Sequence, residues 1–320
     1  MVMCIGIDVG GTNLRLGVVE CDANNKTSQP RLIEEMRFQA DFSKLCQSHH
    51  QSAQQSWQTI LSTIATAITS VRTKYPEISA VGIGFPGFID PNTQKISQSP
   101  NLPGLADVDL SADLSQLIQL PVMTENDALA AAYGEYIMHT AVTQNLIYLG
   151  LGTGVGGGLI LNGQPFQGQH GVAMEVGHIT VRQGGRLCGC GNHGCMEQYA
   201  SASGVVISYF ESSGQDCNAT EIAHRAHQGD PDAMAAYSLV GVTLAQALAH
   251  ILKVVDVTDI VIGGGMSASW MLMEPSFQQQ LEADLIPALR SKVNVKISSM
   301  GDQAGIIGAA MLTLPSLMTR

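Results

Sequence analysis

Three cysteines crowd into eight residues and form a dense cluster of metal-ligating side chains. Cys188, Cys190 and Cys195 stand in a glycine-rich segment, and two histidines are near in sequence, His178 and His193. Zinc in a structural site takes four nitrogen or sulfur ligands in tetrahedral geometry. The spacing therefore predicts a structural zinc site with three thiolate ligands, and either histidine could be the fourth ligand.

Two glycine turns have the composition of phosphate-binding loops. Residues 8–12 read Asp-Val-Gly-Gly-Thr, and residues 152–154 read Gly-Thr-Gly. Glycine lets backbone N–H groups approach a phosphate closely, and the Asp8 carboxylate could hold Mg²⁺ through water. Either turn alone could be only a tight hairpin turn, but the pair indicates a nucleotide site. Its candidate residues are Asp8, Gly10, Gly11, Thr12, Gly152, Thr153 and Gly154.

Two other nucleotide motifs are excluded. The P-loop pattern G-x-x-x-x-G-K-[ST] does not occur in the sequence. Gly152, Gly154 and Gly157 match G-x-G-x-x-G, but a strand-like run at 158–161 follows them. Because the dinucleotide fingerprint requires a helix after its glycines, this match is rejected.

Several polar residues could act on a substrate that carries hydroxyl groups. Asp127 could be a general base that takes a proton from such a hydroxyl, although Asn126 or Asp127 could equally be a helix N-cap. Glu175 and Glu197 lie close in sequence to the zinc candidates and could accept hydrogen bonds from a polyol, or be surface acids. Asn101 could contact the same substrate, or serve only as a turn residue.

Composition limits the class of protein. The chain has 320 residues, enough for two domains, with 13% charged and 45% apolar residues, which favours a buried globular core over disorder. A net charge of −11 without a basic stretch argues against a nucleic-acid partner. The seven cysteines are an odd number and partly clustered, which favours a cytosolic protein with one metal cluster over a secreted disulfide framework.

Membrane association is not expected from the sequence. Glycines or charges interrupt the most apolar stretches well before ~18 residues, so no transmembrane helix is predicted. Residues 1–9 lack a basic lead and a cleavage site, and they are interpreted as a first strand and not as a signal peptide.

Strands and helices alternate along the chain, which predicts an α/β protein. Two hairpin-like segments, 5–19 and 148–161, resemble each other and indicate two α/β domains of common plan. The predicted domains are a small one at 1–123, onto which a helix at about 304–320 folds back, and a large one at 124–303 that carries the zinc loop. Helices are predicted at 54–74, 128–139, 231–255 and 304–314, and strands at 80–85, 259–262 and 294–298.

In this order, the segments resemble the ROK family (repressor, open reading frame, kinase) nearly from end to end. The most specific match is Glu175-x-Gly-His178 followed by Cys188-x-Cys190-Gly-x-x-Gly-Cys195-x-Glu197. Residues 263–265 resemble the adenosine motif of the family, and residues 304–309 resemble its C-terminal partner. One departure is Asn13, where many members have a lysine.

The resemblance implies a two-domain actin-like ATPase (ribonuclease H-like) fold with an interdomain cleft. It also implies a cytoplasmic, ATP-dependent sugar kinase that phosphorylates the terminal hydroxyl of a hexose and forms homodimers or homotetramers. Glucose is the first expected sugar, followed by N-acetylglucosamine or N-acetylmannosamine, and then fructose. The non-enzyme alternative is a sugar-sensing regulator without a DNA-binding domain, because the phosphate motif starts at residue 5 and leaves no room for a helix-turn-helix region before it.

The resemblance also implies residue roles, with Asp127 as the general base. The sugar-binding residues would be Gly87, Asn101, Asn126, Asp127, Glu175, His178 and Glu197. The ATP-binding residues would be Asp8, Gly10, Gly11, Thr12, Asn13, Gly152, Thr153, Gly154, Gly264 and Gly265. The ligands of the structural Zn²⁺ would be His178, Cys188, Cys190 and Cys195.

Overall fold

The computed structural model describes residues 1–10, 13–22, 29–47, 52–99, 102–139 and 143–314, in which strands and helices alternate. The strands are β1 (Val2–Val9), β2 (Asn13–Cys21), β3 (Arg31–Gln39), β4 (Ile78–Phe85), β5 (Phe88–Ile89), β6 (Ile96–Gln98), β7 (Val122–Asn126), β8 (Leu146–Leu151), β9 (Val155–Leu161), β10 (Gln164–Pro165), β11 (Asp259–Gly263) and β12 (Asn294–Ile297). The helices are α1 (Phe42–Gln47), α2 (Ala53–Lys74), α3 (Leu110–Ile118), α4 (Asp127–Met138), α5 (Glu197–Ala200), α6 (Ala202–Ser213), α7 (Ala219–His227), α8 (Pro231–Val255), α9 (Trp270–Asp284) and α10 (Gln303–Leu312).

The first sheet has the strand order β3-β2-β1-β4-β7. Strand β2 is antiparallel to β1, whereas β4 is parallel to both β1 and β7. Asp8 of β1 is in register with Gly84 of β4, and Phe85 of β4 is in register with Asn126 of β7. In open α/β sheets, ligands bind at the carboxyl ends of parallel strands. Asp8 and Asn126 therefore lie at the carboxyl ends of β1 and β7, where a ligand is expected.

Helix α2 covers part of this core and begins one residue before the predicted start at 54. Ser52 is the N-cap, and its side chain accepts a hydrogen bond from the Gln55 N–H in a capping box. The buried face of α2 joins the core formed with β1, β2 and β4. Trp57 on this face donates a hydrogen bond of 2.8 Å to Asp113 of α3.

Helix α10 lies against the backbone of the first sheet, and glycines allow the close approach. A Cβ added to Gly6 or Gly82 would collide with the main-chain carbonyl of Ile306 or Ala309, respectively. Gly134 of α4 meets the first turn of α10 in the same way. Because the colliding atoms are main-chain atoms, a larger residue at any of these positions would have to displace the helix.

The second sheet has the strand order β10-β9-β8-β11-β12. Strand β11 is parallel to β8 and to β12. Strands β8 and β9 are neighbours joined by the glycine turn at 152–154, as β1 and β2 are joined in the first sheet. The two predicted hairpins are therefore both present.

Helix α8 is long and apolar enough to cross a membrane, judged by length and composition alone, with a mean hydropathy of 1.6. The sequence-based expectation that no apolar stretch reaches this length is therefore wrong for α8. Gly241 interrupts the stretch in sequence, but it stays helical and lies against the backbone of α9, where an added Cβ would collide. Since 56% of the apolar window is buried inside the protein, α8 is a core helix that packs against α6, α7 and α9.

Contacts within the chain divide it into two compact units. Unit 1 comprises 1–145, 158–173 and 302–320, and unit 2 comprises 146–157 and 174–301. This division differs from the predicted boundary between 123 and 124, because α4 packs against β4, β7 and α10 and so belongs with unit 1. The division also passes through β9.

Candidate active site and metal site

The first glycine turn follows β1 in unit 1. The Gly10 N–H donates a hydrogen bond of 2.9 Å to the Asn13 carbonyl, which closes the turn, and Gly11 and Thr12 lie outside the described residues. Burial raises the pKa of Asp8 to about 6; the charge of Asp127 acts in the same direction, and Arg15 opposes it. Nη1 of Arg15 is 3.3 Å from the Asp8 carboxylate and 2.7 Å from that of Asp302.

Asp127 is the first residue of α4, and Asn126 is its N-cap. The Asn126 side chain accepts a hydrogen bond of 3.0 Å from the Leu129 N–H and donates one of 3.1 Å to the Gly87 carbonyl. The Asp127 carboxylate accepts a hydrogen bond of 2.8 Å from the Ala128 N–H, and burial raises its pKa. The structure thus gives the capping role to Asn126, and a carboxylate can accept more hydrogen bonds than the one that Asp127 receives from the Ala128 N–H.

Glu125 is a buried acid beside this pair, and the sequence predicted no role for it. Its carboxylate accepts a hydrogen bond of 2.8 Å from the Asn126 N–H and one of 2.5 Å from the side chain of Gln167. Burial raises the pKa of Glu125 to about 7, and its two hydrogen bonds oppose this. The signal in the sequence was an acid directly before the Asn-Asp pair; nothing in sequence indicated Gln167 as its partner.

The second glycine turn, between β8 and β9, belongs to unit 2. The Gly152 N–H donates a hydrogen bond of 2.9 Å to the Gly154 carbonyl. The Glu197 carboxylate accepts a hydrogen bond of 3.1 Å from the Val155 N–H, and a Cβ on Gly154 would collide with the same carboxylate. The turn is also anchored to the start of α6, where the Ser203 hydroxyl donates to the Thr153 carbonyl at 3.0 Å.

The loop 185–195, here called the metal-site loop, brings the cysteines together. The ligand atoms of His178, Cys188, Cys190 and Cys195 all lie within 4.8 Å of one another. His193 instead lies with its Nδ1 3.1 Å from the Gly185 carbonyl oxygen. One nitrogen and three sulfur donors fit a tetrahedral zinc ion, so the grouping favours His178 over His193 as the fourth candidate ligand.

Glu175 lies near one ring nitrogen of His178, and Cys188 lies near the other. Nδ1 of His178 is 3.5 Å from the Cys188 sulfur, whereas its Nε2 is 3.7 Å from the Glu175 carboxylate. Metal-binding histidines commonly direct the second ring nitrogen to a carboxylate, which orients the ring. The arrangement suits a histidine held between a metal site and an acid.

The predicted adenosine motif follows β11 in unit 2. Gly264 has a φ of +78°, in the region that favours glycine, and a Cβ there would collide with the main chain of Leu151 at the end of β8. Gly265 begins a short 3₁₀ helix at Gly265–Ser269. The backbone of this motif therefore lies against β8.

The candidate residues are distributed over both units. Unit 1 carries Asp8, Gly10, Asn13, Gly87, Asn126 and Asp127. Unit 2 carries Gly152, Thr153, Gly154, Glu175, His178, Cys188, Cys190, Cys195, Glu197, Gly264 and Gly265. Asn101 lies outside the described residues.

Comparison with solved structures and families defines the class of protein. The fold is similar to that of a ROK family glucokinase from Streptomyces griseus in complex with glucose and AMPPNP, with a TM-score of 0.79, 29% identity and coverage of 97% of this chain and 98% of that chain. The protein has the two-domain actin-like ATPase fold of sugar kinases. The model of the ROK family matches residues 4–315, and the chain belongs to this family.

The curated relatives include glucokinases and N-acetyl-D-glucosamine kinases. A glucokinase of Streptomyces coelicolor is 30% identical over 331 residues, covering 98% of both chains. An N-acetyl-D-glucosamine kinase of Salmonella arizonae is 32% identical over 325 residues, covering 98% of this chain and 99% of the relative. The chain is thus similar to a glucokinase and to an N-acetyl-D-glucosamine kinase at nearly the same identity.

Proposed function

We propose that this sugar kinase transfers the γ-phosphate of ATP to the terminal hydroxyl of a hexose, with glucose as the first expected acceptor. N-acetylglucosamine and N-acetylmannosamine are the next candidates, followed by fructose. The relatives named glucokinase and N-acetyl-D-glucosamine kinase support the substrate class. The complex of the Streptomyces griseus glucokinase with glucose and AMPPNP supports ATP as the donor.

The position of Asp127 carries this proposal. Asp127 is held at the start of α4, at the edge of the sheet where the carboxyl ends of β4 and β7 lie. A general base works best when its pKa is near the operating pH, and burial raises the pKa of Asp127 in that direction. In its ionised form, Asp127 would accept the proton of the terminal hydroxyl as the bond to phosphorus forms.

Phosphoryl transfer depends mainly on positioning and on stabilising charge. We assign the sugar hydroxyls to the side chains that can accept or donate hydrogen bonds and to the loop at Gly87. These residues are Gly87, Asn101, Asn126, Asp127, Glu175, His178 and Glu197.

The phosphates and the adenosine are assigned to the glycine turns, with Asp8 holding Mg²⁺ through water. Mg²⁺ bound to ATP supplies charge neutralisation at the phosphates. The residues are Asp8, Gly10, Gly11, Thr12, Asn13, Gly152, Thr153, Gly154, Gly264 and Gly265.

A zinc ion held by His178, Cys188, Cys190 and Cys195 is proposed to be structural. Four protein donors leave no open position on a tetrahedral ion, so the ion would fix the loop and would not act on substrate. We further propose a cytoplasmic homodimer or homotetramer without nucleic-acid or membrane partners, which light scattering of the purified protein would check for the oligomeric state.

An ADP-release assay tests the function, with Mg²⁺–ATP and a panel of glucose, N-acetylglucosamine, N-acetylmannosamine, fructose, mannose and allose. The wild type is expected to turn over one sugar, and Asp127→Asn should lower kcat by about 10²- to 10⁴-fold while sugar binding is kept. The matched control is Asp109→Asn at the N-cap of α3, which also removes a carboxylate from a helix start and should leave kcat unchanged. Near-normal kcat in Asp127→Asn would refute the assignment. Sugar binding without any turnover in the wild type would favour the regulator.

A further inference from the structure

We propose that Arg186 is a positioning residue that connects the metal-site loop to the helix that carries Glu197. The inference rests on the sugar-kinase function proposed above. Arg186 lies two residues before Cys188, and neither a ligand nor a substrate-binding role was predicted for it.

The main chain of Arg186 holds both ends of the metal-site loop. Its N–H donates a hydrogen bond of 2.9 Å to the hydroxyl oxygen of Tyr199. Its carbonyl accepts a hydrogen bond of 2.8 Å from the Gly194 N–H, and Gly194 directly precedes Cys195. The entrance of the loop before Cys188 and its exit at Cys195 are therefore tied to one residue.

The guanidinium group of Arg186 extends from the loop to α5 and α6. Nη1 donates hydrogen bonds to the main-chain carbonyls of Gln198 at 2.6 Å and of Gly204 at 3.3 Å. Nη2 donates to the Glu211 carboxylate at 2.6 Å and to the Ser208 hydroxyl at 3.0 Å. The side chain thus bonds to the main chain of α5 and to the main chain and two side chains of α6.

These contacts require the shape of arginine. Cζ of Arg186 lies over the Tyr199 ring, 4.6 Å from its centroid, while the nitrogen atoms of the guanidinium group donate hydrogen bonds. The Arg186 side chain is only 15% exposed, so its charge needs these partners in place of water. A lysine would place one compact ammonium group there, which could not donate the same hydrogen bonds in two directions as the planar guanidinium group does.

Helix α5, to which Arg186 is hydrogen-bonded, begins with Glu197. Gln198 and Tyr199, both bound by Arg186, directly follow Glu197 in α5. The Glu197 carboxylate in turn accepts the N–H of Val155 after the second glycine turn. Arg186 therefore links the order of the metal-site loop to the position of a candidate sugar ligand 11 residues further along the chain.

The test compares zinc-loaded Arg186→Met and Arg186→Lys with a matched control, Arg225→Met. Arg225 also lies over a tyrosine ring, 5.8 Å from the centroid of the Tyr209 ring, and also pairs with a glutamate, Glu221 at 2.7 Å, but its side-chain contacts lie in α6, α7 and the segment between them. Three quantities are measured: kcat and hexose KM, the rate of zinc release to a chromogenic chelator, and the thermal midpoint.

Both Arg186 variants are expected to raise the hexose KM and the zinc-release rate by about 10- to 100-fold, the usual effect of losing a residue that orients metal ligands. The kcat should fall much less, because Asp127 is untouched. Arg225→Met should lower only the thermal midpoint.

Hexose KM and zinc-release values in both Arg186 variants that match those of Arg225→Met would overturn the inference. If Arg186→Met does not fold, Arg186→Lys decides by the same criteria. A wild type that phosphorylates no sugar of the panel would contradict the proposed function instead, and the zinc-release rates would still decide whether Arg186 holds the loop.

Discussion

The carboxylate of Glu197 accepts a hydrogen bond of 3.1 Å from the main-chain N–H of Val155, at the end of the second glycine turn. The residues are 42 positions apart in sequence. Glu197, the last residue of the sequence pattern at 175–197, thus supports a candidate phosphate-binding turn. Glu197 has an acceptor oxygen for the turn and, under the proposed function, a negative charge for a sugar hydroxyl, and substitution can separate these two properties.

Replacement of Glu197 should separate these properties. Glu197→Gln keeps an acceptor oxygen for the Val155 N–H and should raise mainly the hexose KM. Glu197→Ala removes both properties and should raise the KM of ATP as well, by about tenfold or more, because a hydrogen bond to a charged group contributes about 1.5–3 kcal/mol. Steady-state kinetics with each substrate varied measures both. Equal ATP KM values in the two variants would contradict the support of the turn.

The stability of the protein should depend on pH through Glu125. Burial raises the pKa of Glu125 from 4.5 to about 7, so between these values the folded state retains a proton that the unfolded state has released. The contribution of Glu125 to the free energy of unfolding is therefore fully present below pH 4.5, and it is lost as the pH rises to about 7. The amide of Glu125→Gln does not ionise in this range. The free energy of unfolding of this variant should therefore exceed that of the wild type by up to about 3 kcal/mol between pH 5 and 8.

Urea unfolding at several pH values checks this prediction. The control is Glu77→Gln, since Glu77 is exposed. A difference between wild type and Glu125→Gln that stays constant from pH 5 to 8 would show that Glu125 is ionised throughout the range.

Removal of the metal should weaken sugar binding while unit 1 stays folded. Cys188→Ser replaces one thiolate of the four-ligand group, and it should lower the zinc content below one ion per chain and raise the hexose KM. Cys46→Ser in α1, outside the group, is the control and should retain zinc and activity. Elemental analysis with the ADP-release assay measures both. Full hexose affinity in metal-free protein would contradict a structural role for the ion.

The packing of α10 on the first sheet should tolerate no side chain at Gly82. Gly82→Ala places a methyl group against the Ala309 carbonyl, and because main chain must move, the cost should be about 3 kcal/mol or more. Gly189→Ala is the control, since an added Cβ at Gly189 meets nothing within 4 Å. Chemical denaturation compares the two variants. Equal stability of both would show that α10 adjusts without cost.

The local patterns of this sequence determined its elements and the candidate chemistry. Apolar periodicity predicted α2 nearly to the residue, the helix predicted at 231–255 matches α8, and the two strand-turn-strand segments predicted both hairpins. These features depend on neighbours in sequence, through backbone hydrogen bonds and one buried face, so they can be recognised without the fold. The cysteine spacing likewise predicted a metal site, although it left His178 and His193 as alternatives.

Only the tertiary structure decided which distant groups meet. It placed His178 with the cysteines and His193 against Gly185, joined Glu125 to Gln167, and connected Arg186 to α5 and α6. It also assigned α4 to unit 1, against the boundary predicted at 123 and 124. Such contacts arise when helices and loops pack, and their partners have no fixed spacing along the chain. The chemistry of single residues can therefore be predicted from sequence, but their partners and their burial, which set pKa values and orientation, follow from packing.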